Sequence, residues 1–465
     1  MSMMKGFSNA FRIPELRKKI LITLGIVFVC RLISQIPTPG VDFQALKGAV
    51  DAAREGAQGG ILDWFDVFTG GALGQCAIGF LSIWPYISAQ IVIQLLSSVI
   101  PSLEKLKKEG ETGRQQLAQI TRYLTIVLCV VQAWGIATML SHPGMLGQAF
   151  AGTRIVVNPG LGFHLITVIG MTSAALFVMW LADQITTFGI GNGASLIIMI
   201  NITSRLPQAI VSAWQRYFGY AGVGPNAPIA ELPIVILFFI IVVMGTVMLV
   251  QGVRKVAIHS TRRSVGGGNT YGMQQTFMPL RVNYTGVMPI IFAQPIIQFP
   301  AMLLVKFTNA ASTGFSGSLH RFGMALQDPS SALHLIVYAL MIMFFAFFWV
   351  ATQFNAVDIS ENLKKDGSYI PGIRPGRATA EYLDDVMTKL TLIGGTGLLV
   401  IALIPMVLMG WLTIPWAIAS FFGGTSLLII VGVALDTLRI MESHLLVRKY
   451  EGFLSHGSLR GRGGM

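Results

Sequence analysis

The sequence is poor in charge and in cysteine. Only 12% of its 465 residues are charged, 53% are hydrophobic, and the mean hydropathy is +0.66. An ordinary soluble enzyme carries about twice that share of charged residues, so this class of protein is excluded. The cysteines lie in apolar segments without CxxC spacing, so we expect small buried hydrophobic side chains rather than a disulfide framework or a metal cluster: Cys30, Cys76 and Cys129.

Signals for secretion, nucleotide binding and ion coupling are also missing from the sequence. Met1–Lys19 is polar and basic, and no small-residue cleavage site follows the first apolar run, so we expect no cleaved signal peptide. The string GIGNG (Gly189–Gly193) has no strand before it and no Gly-Lys-Ser/Thr after it, so it does not predict a phosphate loop. The apolar runs hold almost no ionisable residue, which disfavours a proton- or ion-coupled transporter.

Ten apolar runs, bounded by glycines, prolines and charged loops, are predicted to cross a membrane. They comprise residues 20–36, 77–99, 123–140, 163–182, 194–206, 233–251, 287–307, 333–354, 390–410 and 421–435. Arg31, near the far end of the first run, can snorkel to the membrane interface. Val243, in the sixth run, is expected to face lipid.

Lysine and arginine are concentrated on the side of the N-terminus. They occur in Met1–Lys19, in the loops after the second, sixth and eighth runs, and in the C-terminal tail, whereas the loops on the other side carry few. By the positive-inside rule, both termini are predicted to lie in the cytoplasm. The same distribution accounts for the net charge of +12 without invoking nucleic acid.

The stretch Ile61–Leu96 is the most unusual part of the sequence. It begins half-polar, breaks at Gly70 and Gly71, and then becomes almost purely apolar. Its first part is too short and too charged to cross a bilayer. A short segment joined to a full span is tolerated at membrane depth where it lines a cavity, and a re-entrant loop that packs against the exterior is the alternative. The residues alone leave both interpretations open.

Several isoleucines stand beside glycine or proline within the predicted spans. They are Ile83, Ile87, Ile198, Ile291 and Ile429. Apolar side chains at a constriction can gate a pore by excluding water. In a membrane helix, an isoleucine more often faces lipid or the protein core than a pore. Position alone therefore favours a packing role over a gating role for these residues.

Five longer blocks match a known family: GGALGQCAIGFLSIWPYISAQIVIQLL, QITTFGIGNGASLII, LRVNYTGVMPIIFAQPIIQFP, ENLKKDGSYIPGIRPGRATAEYL and FFGGTSLLIIVGVALD. They resemble the bacterial SecY family, the central subunit of the Sec protein-conducting channel, over essentially the whole chain. The resemblance implies an all-α polytopic membrane protein, with ten transmembrane helices in two inverted five-helix halves forming a clamshell around a central pore. It implies a passive channel and not an enzyme, without cofactor or metal. Such a channel passes unfolded secretory proteins across the cytoplasmic membrane and releases transmembrane helices laterally into it.

The matching motifs imply roles for four groups of residues. A pore ring is implied at Ile83, Ile87, Ile198, Ile291 and Ile429. A plug on the extracytoplasmic side is implied at Ile61, Leu62, Asp63, Trp64, Phe65, Asp66, Val67, Phe68, Thr69, Gly70 and Gly71. A lateral gate is implied at Gln94, Gln132 and Gln298, for which local helix contacts without a gating role are the alternative. Docking of a motor ATPase or ribosome is implied at Arg262, Arg263 and Arg374, and the tip STRRSVGGGN is richer in glycine than in many relatives.

The resemblance also implies a domain plan and partners. The plan is a cytoplasmic N-terminus (1–19), an N-terminal half (20–206) with the plug (61–71), a periplasmic hinge loop (207–232), a C-terminal half (233–435) with docking loops (252–283 and 355–389), and a cytoplasmic tail (436–465). The implied partners are SecE, SecG, the ATPase SecA, translating ribosomes, signal peptides and nascent chains, membrane lipids, SecDF and YidC. The implied location is the bacterial cytoplasmic (inner) membrane. Two rivals stay open: a secondary transporter, which needs an ionisable or coordinating cluster at mid-depth, and a scaffolding subunit, in which the isoleucines would be dispensable.

Overall fold

The structure, a computed structural model, describes residues 13–46, 48, 70–72, 76–143, 153–219, 228, 231–260, 275–308, 314–328, 331–412 and 424–456. The chain forms two compact units. The first contains Met1–Leu206 and Val433–Met465, and the second contains Pro207–Gly432. The boundary at residue 206 coincides with the end of the predicted N-terminal half, whereas residues from 433 onward join the first unit.

Helices account for most of the described residues. In chain order they are α1 (Pro14–Ile33), a 3-10 helix (Ile78–Leu81), α2 (Trp84–Val99), α3 (Pro101–Lys108), α4 (Glu111–Ser141), α5 (Leu161–Phe188), α6 (Gly193–Thr203), α7 (Leu206–Phe218), α8 (Glu231–Gln251), α9 (Met288–Phe307), α10 (Phe315–Gln327), α11 (Ala332–Gln353), α12 (Ala356–Lys365), α13 (Arg377–Leu412) and α14 (Gly424–His456). The strands are β1 (Val253–Ser260), β2 (Gln275–Arg281) and β3 (Ser368–Tyr369).

Eight helical segments within the described residues are long and apolar enough to cross a membrane. They correspond to the second to ninth predicted spans. The first predicted span is helical in α1, but Glu15, Arg17 and two lysines raise the charge of this helix beyond that of an ordinary span. The last span is helical from Gly424, the first residue of α14, and residues 421–423 lie outside the described part.

Local sequence explains where several helices begin. Pro14 and Pro85 stand in the first turns of α1 and α2, where the missing amide proton of proline costs no hydrogen bond. The Asn192 side chain accepts a hydrogen bond from the amide of Ser195 at the start of α6. Ser331 caps α11 in the same way through the amide of His334.

The first unit is built on close packing between helices. Helix α4 packs against α2 and α5, and α5 also contacts α1 and α6. A β-carbon at Gly193 would come within 2.0 Å of the Ala182 carbonyl oxygen, so α5 and α6 approach as closely as only glycine allows. The Thr186 hydroxyl accepts the Gly193 amide at 2.9 Å. Near the polar end of these helices, Arg122 of α4 pairs with Asp183 of α5 at 2.8 Å.

The second unit has a core between α8, α9, α11 and α13. Its most buried members include Val242, Ile290, Ile342 and Leu398. Val243 packs against this core, so the prediction that it faces lipid is wrong. A helix turns about 100° per residue, so it is the next side chain that points outward. Met244 is 59% exposed.

Two amphipathic helices lie in regions for which the sequence predicts loops. Helix α7 fills the first part of the predicted hinge loop 207–232, with Ala209 and Tyr217 buried and Trp214 exposed. Helix α10 lies between the seventh and eighth spans and packs against α9. Polar residues on one face lower the mean hydropathy of such helices, which is why hydropathy alone missed them.

A small sheet qualifies the all-α expectation. Its strands lie in the order β2-β1-β3, and both pairs are antiparallel. Val256 and Ile258 are buried on β1 and alternate with more exposed residues. Val256 belongs to a hydrophobic cluster with residues at the ends of α11 and α13. The arms of the predicted docking loop 252–283 are therefore a rigid β ribbon rather than an irregular loop.

Candidate functional site

The second span is broken at the first ring position. The 3-10 helix ends at Leu81, Ser82 has a φ of 45°, and Ile83 caps the start of α2. A non-glycine residue in this left-handed conformation is uncommon and requires support from the surrounding structure. Asn201 on α6 provides it, because its Nδ2 donates to the Ser82 hydroxyl oxygen at 3.0 Å.

Three ring candidates meet in one cluster of the first unit. Ile83 is 2% exposed and Ile87, one turn further along α2, is 7% exposed. Both belong to a cluster with Val178 of α5, and Ile198 of α6 packs against it half-buried. The structure therefore brings these three predicted ring residues together.

The other two ring candidates belong to the second unit. Ile291 lies in the first turn of α9 and is 6% exposed. Ile429 lies in the second turn of α14 and is 2% exposed. Both are thus buried, in the segments that follow Pro289 and the Gly423-Gly424 pair.

Only the last two predicted plug residues, Gly70 and Gly71, lie among the described residues, and Ile61–Thr69 lie outside them. Gly70 is buried and has a φ of 69°. Its carbonyl oxygen accepts hydrogen bonds from Nη1 and Nη2 of Arg31, each at 3.3 Å. Arg31 therefore has a protein partner, which the snorkelling interpretation did not foresee.

The predicted lateral-gate glutamines lie on three helices. Gln94 on α2 is half-buried, and Gln132 on α4, which packs against α2, is also half-buried. Gln298 on α9 is 7% exposed. The Oε1 atoms of Gln132 and Gln298 are buried without a hydrogen-bond partner among the described residues. An unpaired buried amide oxygen is costly and is expected to gain a partner whenever one becomes available.

Arg374 stands on a firmly held turn between β3 and α13. Ile370 and Ile373 anchor the turn in the cluster beneath the β ribbon. The hydroxyl of Thr379 donates to the Arg374 carbonyl oxygen at 2.9 Å, and that of Ser360 donates to the Gly376 carbonyl oxygen at 2.9 Å. The Arg374 side chain itself is exposed. A fixed backbone thus presents this guanidinium to solvent.

The other docking candidates, Arg262 and Arg263, lie outside the described residues. The ribbon that precedes and follows them is described, and it exposes basic side chains at its base: Arg254, Lys255 and Arg281. Sequence reasoning counted these charges only as part of the positive-inside distribution. The alternation of Val256 and Ile258 with exposed residues was the signal that could have placed them on a strand.

The three cysteines are buried free thiols, as predicted. Cys76 precedes the second span, and burial raises the pKa of its thiol to about 12, with a hydrogen bond to the Thr38 side chain acting in the opposite direction. The thiolate is the reactive form of cysteine, so burial lowers the reactivity of this thiol at neutral pH.

Sequence comparisons place the chain among known proteins. A family model described as SecY matches residues 77–438. The protein translocase subunit SecY of Streptomyces coelicolor is 42% identical over 455 residues, covering 97% of this chain and 100% of that protein. The protein of the same description from Escherichia coli (strain K12) is 40% identical over 450 residues, covering 97% of this chain and 96% of that protein.

Solved structures share the fold. One described as a protein conducting channel aligns with a TM-score of 0.59 at 16% identity, covering 94% of this chain and 96% of that chain. Sec61 in the canine ribosome-channel complex aligns with a TM-score of 0.56 at 17% identity over the same shares. The ten-helix fold implied by the sequence motifs is therefore the fold of this chain. With relatives about 40% identical over nearly their full length, the chain belongs to the SecY family.

Proposed function

We propose that this chain is the protein-conducting subunit that passes unfolded secretory proteins across the membrane and releases transmembrane helices sideways into it. The observation that carries the proposal is the relation to protein translocase subunits over 97% of the chain. The family is one of channel subunits and not of catalysts, so the driving energy comes from a partner.

The pore ring is the proposed waist of this channel. Ile83, Ile87 and Ile198 supply a β-branched apolar cluster in the first unit, and Ile291 and Ile429 are buried isoleucines in the second. Such side chains form a dry surface that offers no substitute for the hydration shell of an ion. They also make no sequence-specific hydrogen bond, which suits a substrate of arbitrary sequence. Ile61–Gly71 is proposed as a plug that adds a second seal.

The lateral gate is proposed at Gln94, Gln132 and Gln298. A signal sequence or membrane span is an apolar helix of about 20 residues that is most stable in lipid. Interhelical amide hydrogen bonds contribute only about 1 kcal/mol each, so a seam built from them separates readily. Among the described residues, the buried Oε1 atoms of Gln132 and Gln298 have no hydrogen-bond partner, so each can accept a hydrogen bond when the seam rearranges, which supports this proposal.

The proposed partners follow from the family. They are SecE and SecG as small subunits, SecA as the motor, translating ribosomes, signal peptides and nascent chains, membrane lipids, SecDF and YidC. The Sec61 relative of the same fold occurs in a ribosome-channel complex, which supports a ribosome as partner. The exposed Arg374 and the basic base of the β ribbon are the proposed docking surface, together with Arg262 and Arg263.

The chain is a multi-span membrane protein, and we propose the bacterial inner membrane with both termini in the cytoplasm. Single cysteines at Val157 and Lys365, introduced into a chain whose native cysteines are replaced, test this orientation. Both positions are well exposed. A membrane-impermeant maleimide added to spheroplasts is expected to label Val157→Cys and spare Lys365→Cys until the membrane is permeabilised. Labelling in the reverse order would contradict the orientation.

The channel itself is tested by a site-specific cross-link. A chain with a single cysteine at Ile83→Cys is assembled with its partners, and a secretory precursor is stalled halfway by the motor. We expect the precursor to cross-link to position 83, because the proposed path runs through the ring.

The matched control is Met244→Cys, on the exposed face of α8. It should give no cross-link to the stalled precursor. Continued translocation with no cross-link at position 83, 87 or 198 would contradict the assignment of the pore. A stalled precursor that cross-links equally at 83 and 244 would show that the reagent reports only proximity to the membrane.

A further inference from the structure

Arg31 is an ionisable residue inside an otherwise apolar stretch of α1. From Ile20 to Ile33 this helix carries no other charge. A guanidinium at such a position is costly to desolvate and is retained when specific partners and a role compensate for it. Its partner is the carbonyl oxygen of Gly70, which accepts from Nη1 and Nη2 at 3.3 Å each. These two residues are 39 positions apart in the chain.

Gly70 also lies close to α6, at Asn201 and Ser204. The Ser204 hydroxyl lies 3.5 Å from the same carbonyl oxygen and 2.7 Å from the carbonyl oxygen of Asn201, so its single proton is directed mainly at Asn201. A β-carbon at Gly70 would come within 2.4 Å of Arg31 Nη1 and 3.2 Å of Asn201 Cα. Only glycine combines this close approach with a φ of 69°.

The contacts continue from Gly70 to the ring. Asn201 is 3% exposed and donates to the hydroxyl of Ser82, the residue immediately before Ile83. Arg31, Gly70, Asn201, Ser204 and Ser82 thus form one polar cluster, named here the Gly70 clamp. It joins α1, the Gly70–Ala72 segment, α6 and the break before α2, all within the first unit.

We propose that Arg31 is a positioning residue whose hold on the Gly70 carbonyl stabilises the closed arrangement of the channel and so sets how strictly a signal sequence is required for opening. This inference rests on the proposed function. Two nitrogens of one guanidinium converge on this single carbonyl oxygen at 3.3 Å each, so the contact depends on the orientation of both groups and is lost when the Gly70 backbone moves. Substrate entry must then provide the energy that separates the two groups.

Substitution of Arg31 tests the proposal with two readouts. The first is export of a precursor with a defective signal sequence, which is expected to rise by about tenfold in Arg31→Met because a charge-assisted hydrogen bond is lost from the closed state. The second is labelling of a single cysteine at Ala72, a residue with no exposed surface, by a water-soluble maleimide. We expect this labelling to accelerate in Arg31→Met without any precursor present.

Conservative and matched variants separate the clamp from a general loss of structure. Arg31→Lys keeps the positive charge but has only one nitrogen that can donate to the carbonyl. It should give an intermediate increase in both readouts. Ser204→Ala should give a small increase. Thr203→Ala is the control, because the Thr203 hydroxyl is exposed and donates only within its own helix, to the Met199 carbonyl oxygen. It should leave both readouts unchanged.

The outcomes distinguish this proposal from the function on which it rests. The unsubstituted chain must export a precursor with an intact signal sequence, and failure there would overturn the proposed function itself. If that export is normal, unchanged stringency and unchanged labelling in Arg31→Met would overturn the clamp. Should Arg31→Met fail to accumulate, Arg31→Lys decides, and equality with Thr203→Ala in both readouts would refute the proposal.

Discussion

Arg374→Glu is expected to abolish most motor-driven export while leaving the channel assembled. The arginine is exposed on a turn whose backbone is held by Thr379, Ser360 and two buried isoleucines, so the substitution changes a presented charge and not the fold. Reversal of a charge within a docked interface costs several kcal/mol, and we expect the export rate to fall by more than about tenfold. This export rate is measured with a radiolabelled precursor and inverted vesicles, with the motor ATPase and ATP supplied.

Arg377→Glu is the matched control for this charge reversal. It lies three residues away and makes the same change in charge. In the part of the unsubstituted chain that the structure describes, Arg377 pairs with Glu381 at 2.9 Å on the exposed face of α13. Exposed ion pairs of this kind contribute little to folding stability. Equal losses of export in the two variants would mean that the loop responds to net charge, and the specific role of Arg374 would be refuted.

Ile429→Asn and Ile291→Asn are expected to loosen the seal of the channel. Each places an amide at a buried position, where an unpaired polar group costs about 1–3 kcal/mol that a hydrated, open state does not incur. The equilibrium should therefore shift toward the open state by roughly tenfold or more. We expect greater export of precursors with defective signal sequences, and a larger ion leak in planar bilayers.

Ile296→Asn is the control for these substitutions. Ile296 lies on the same helix as Ile291 but is 43% exposed, so the amide would face the surroundings of the helix and not its buried side. The ion leak of this variant, and its requirement for an intact signal sequence, should match those of the unsubstituted chain. Normal stringency and normal ion leak in both ring variants would favour the scaffolding interpretation, in which the isoleucines are dispensable.

The positions of the ring candidates show what local sequence can reveal. Ile83 and Ile87 follow a helix break and flank Trp84-Pro85, and this pattern is visible in the sequence because proline and small residues mark such a break. Their burial in a common cluster with Val178 depends on α5, which lies about ninety residues further along the chain. The sequence motif therefore predicts the ring positions, and the contacts between helices explain the burial of these residues.

The structure corrects expectations that rested on hydropathy alone. Val243 is partly buried and packs against the core rather than facing lipid. The sequence could not predict this orientation, because α8 is nearly uniform in hydropathy around its circumference. Helices α7 and α10 and the β ribbon were treated as loops because their polar faces dilute the hydropathy signal. For α7, α10 and the β ribbon, the alternation of polar and apolar residues, rather than mean hydropathy, carries the structural information.

The sequence by itself determined the membrane class, the approximate spans, the sided distribution of charge and the family, because these depend on composition, run length and contiguous motifs. Only the tertiary structure decided the partner of Arg31 and the support of Ser82. The hydrogen bonds concerned join residues 39 and 119 positions apart, Arg31 to Gly70 and Asn201 to Ser82. No periodicity within one segment encodes such a contact, because it exists only once α1, α6 and the break before α2 have packed together.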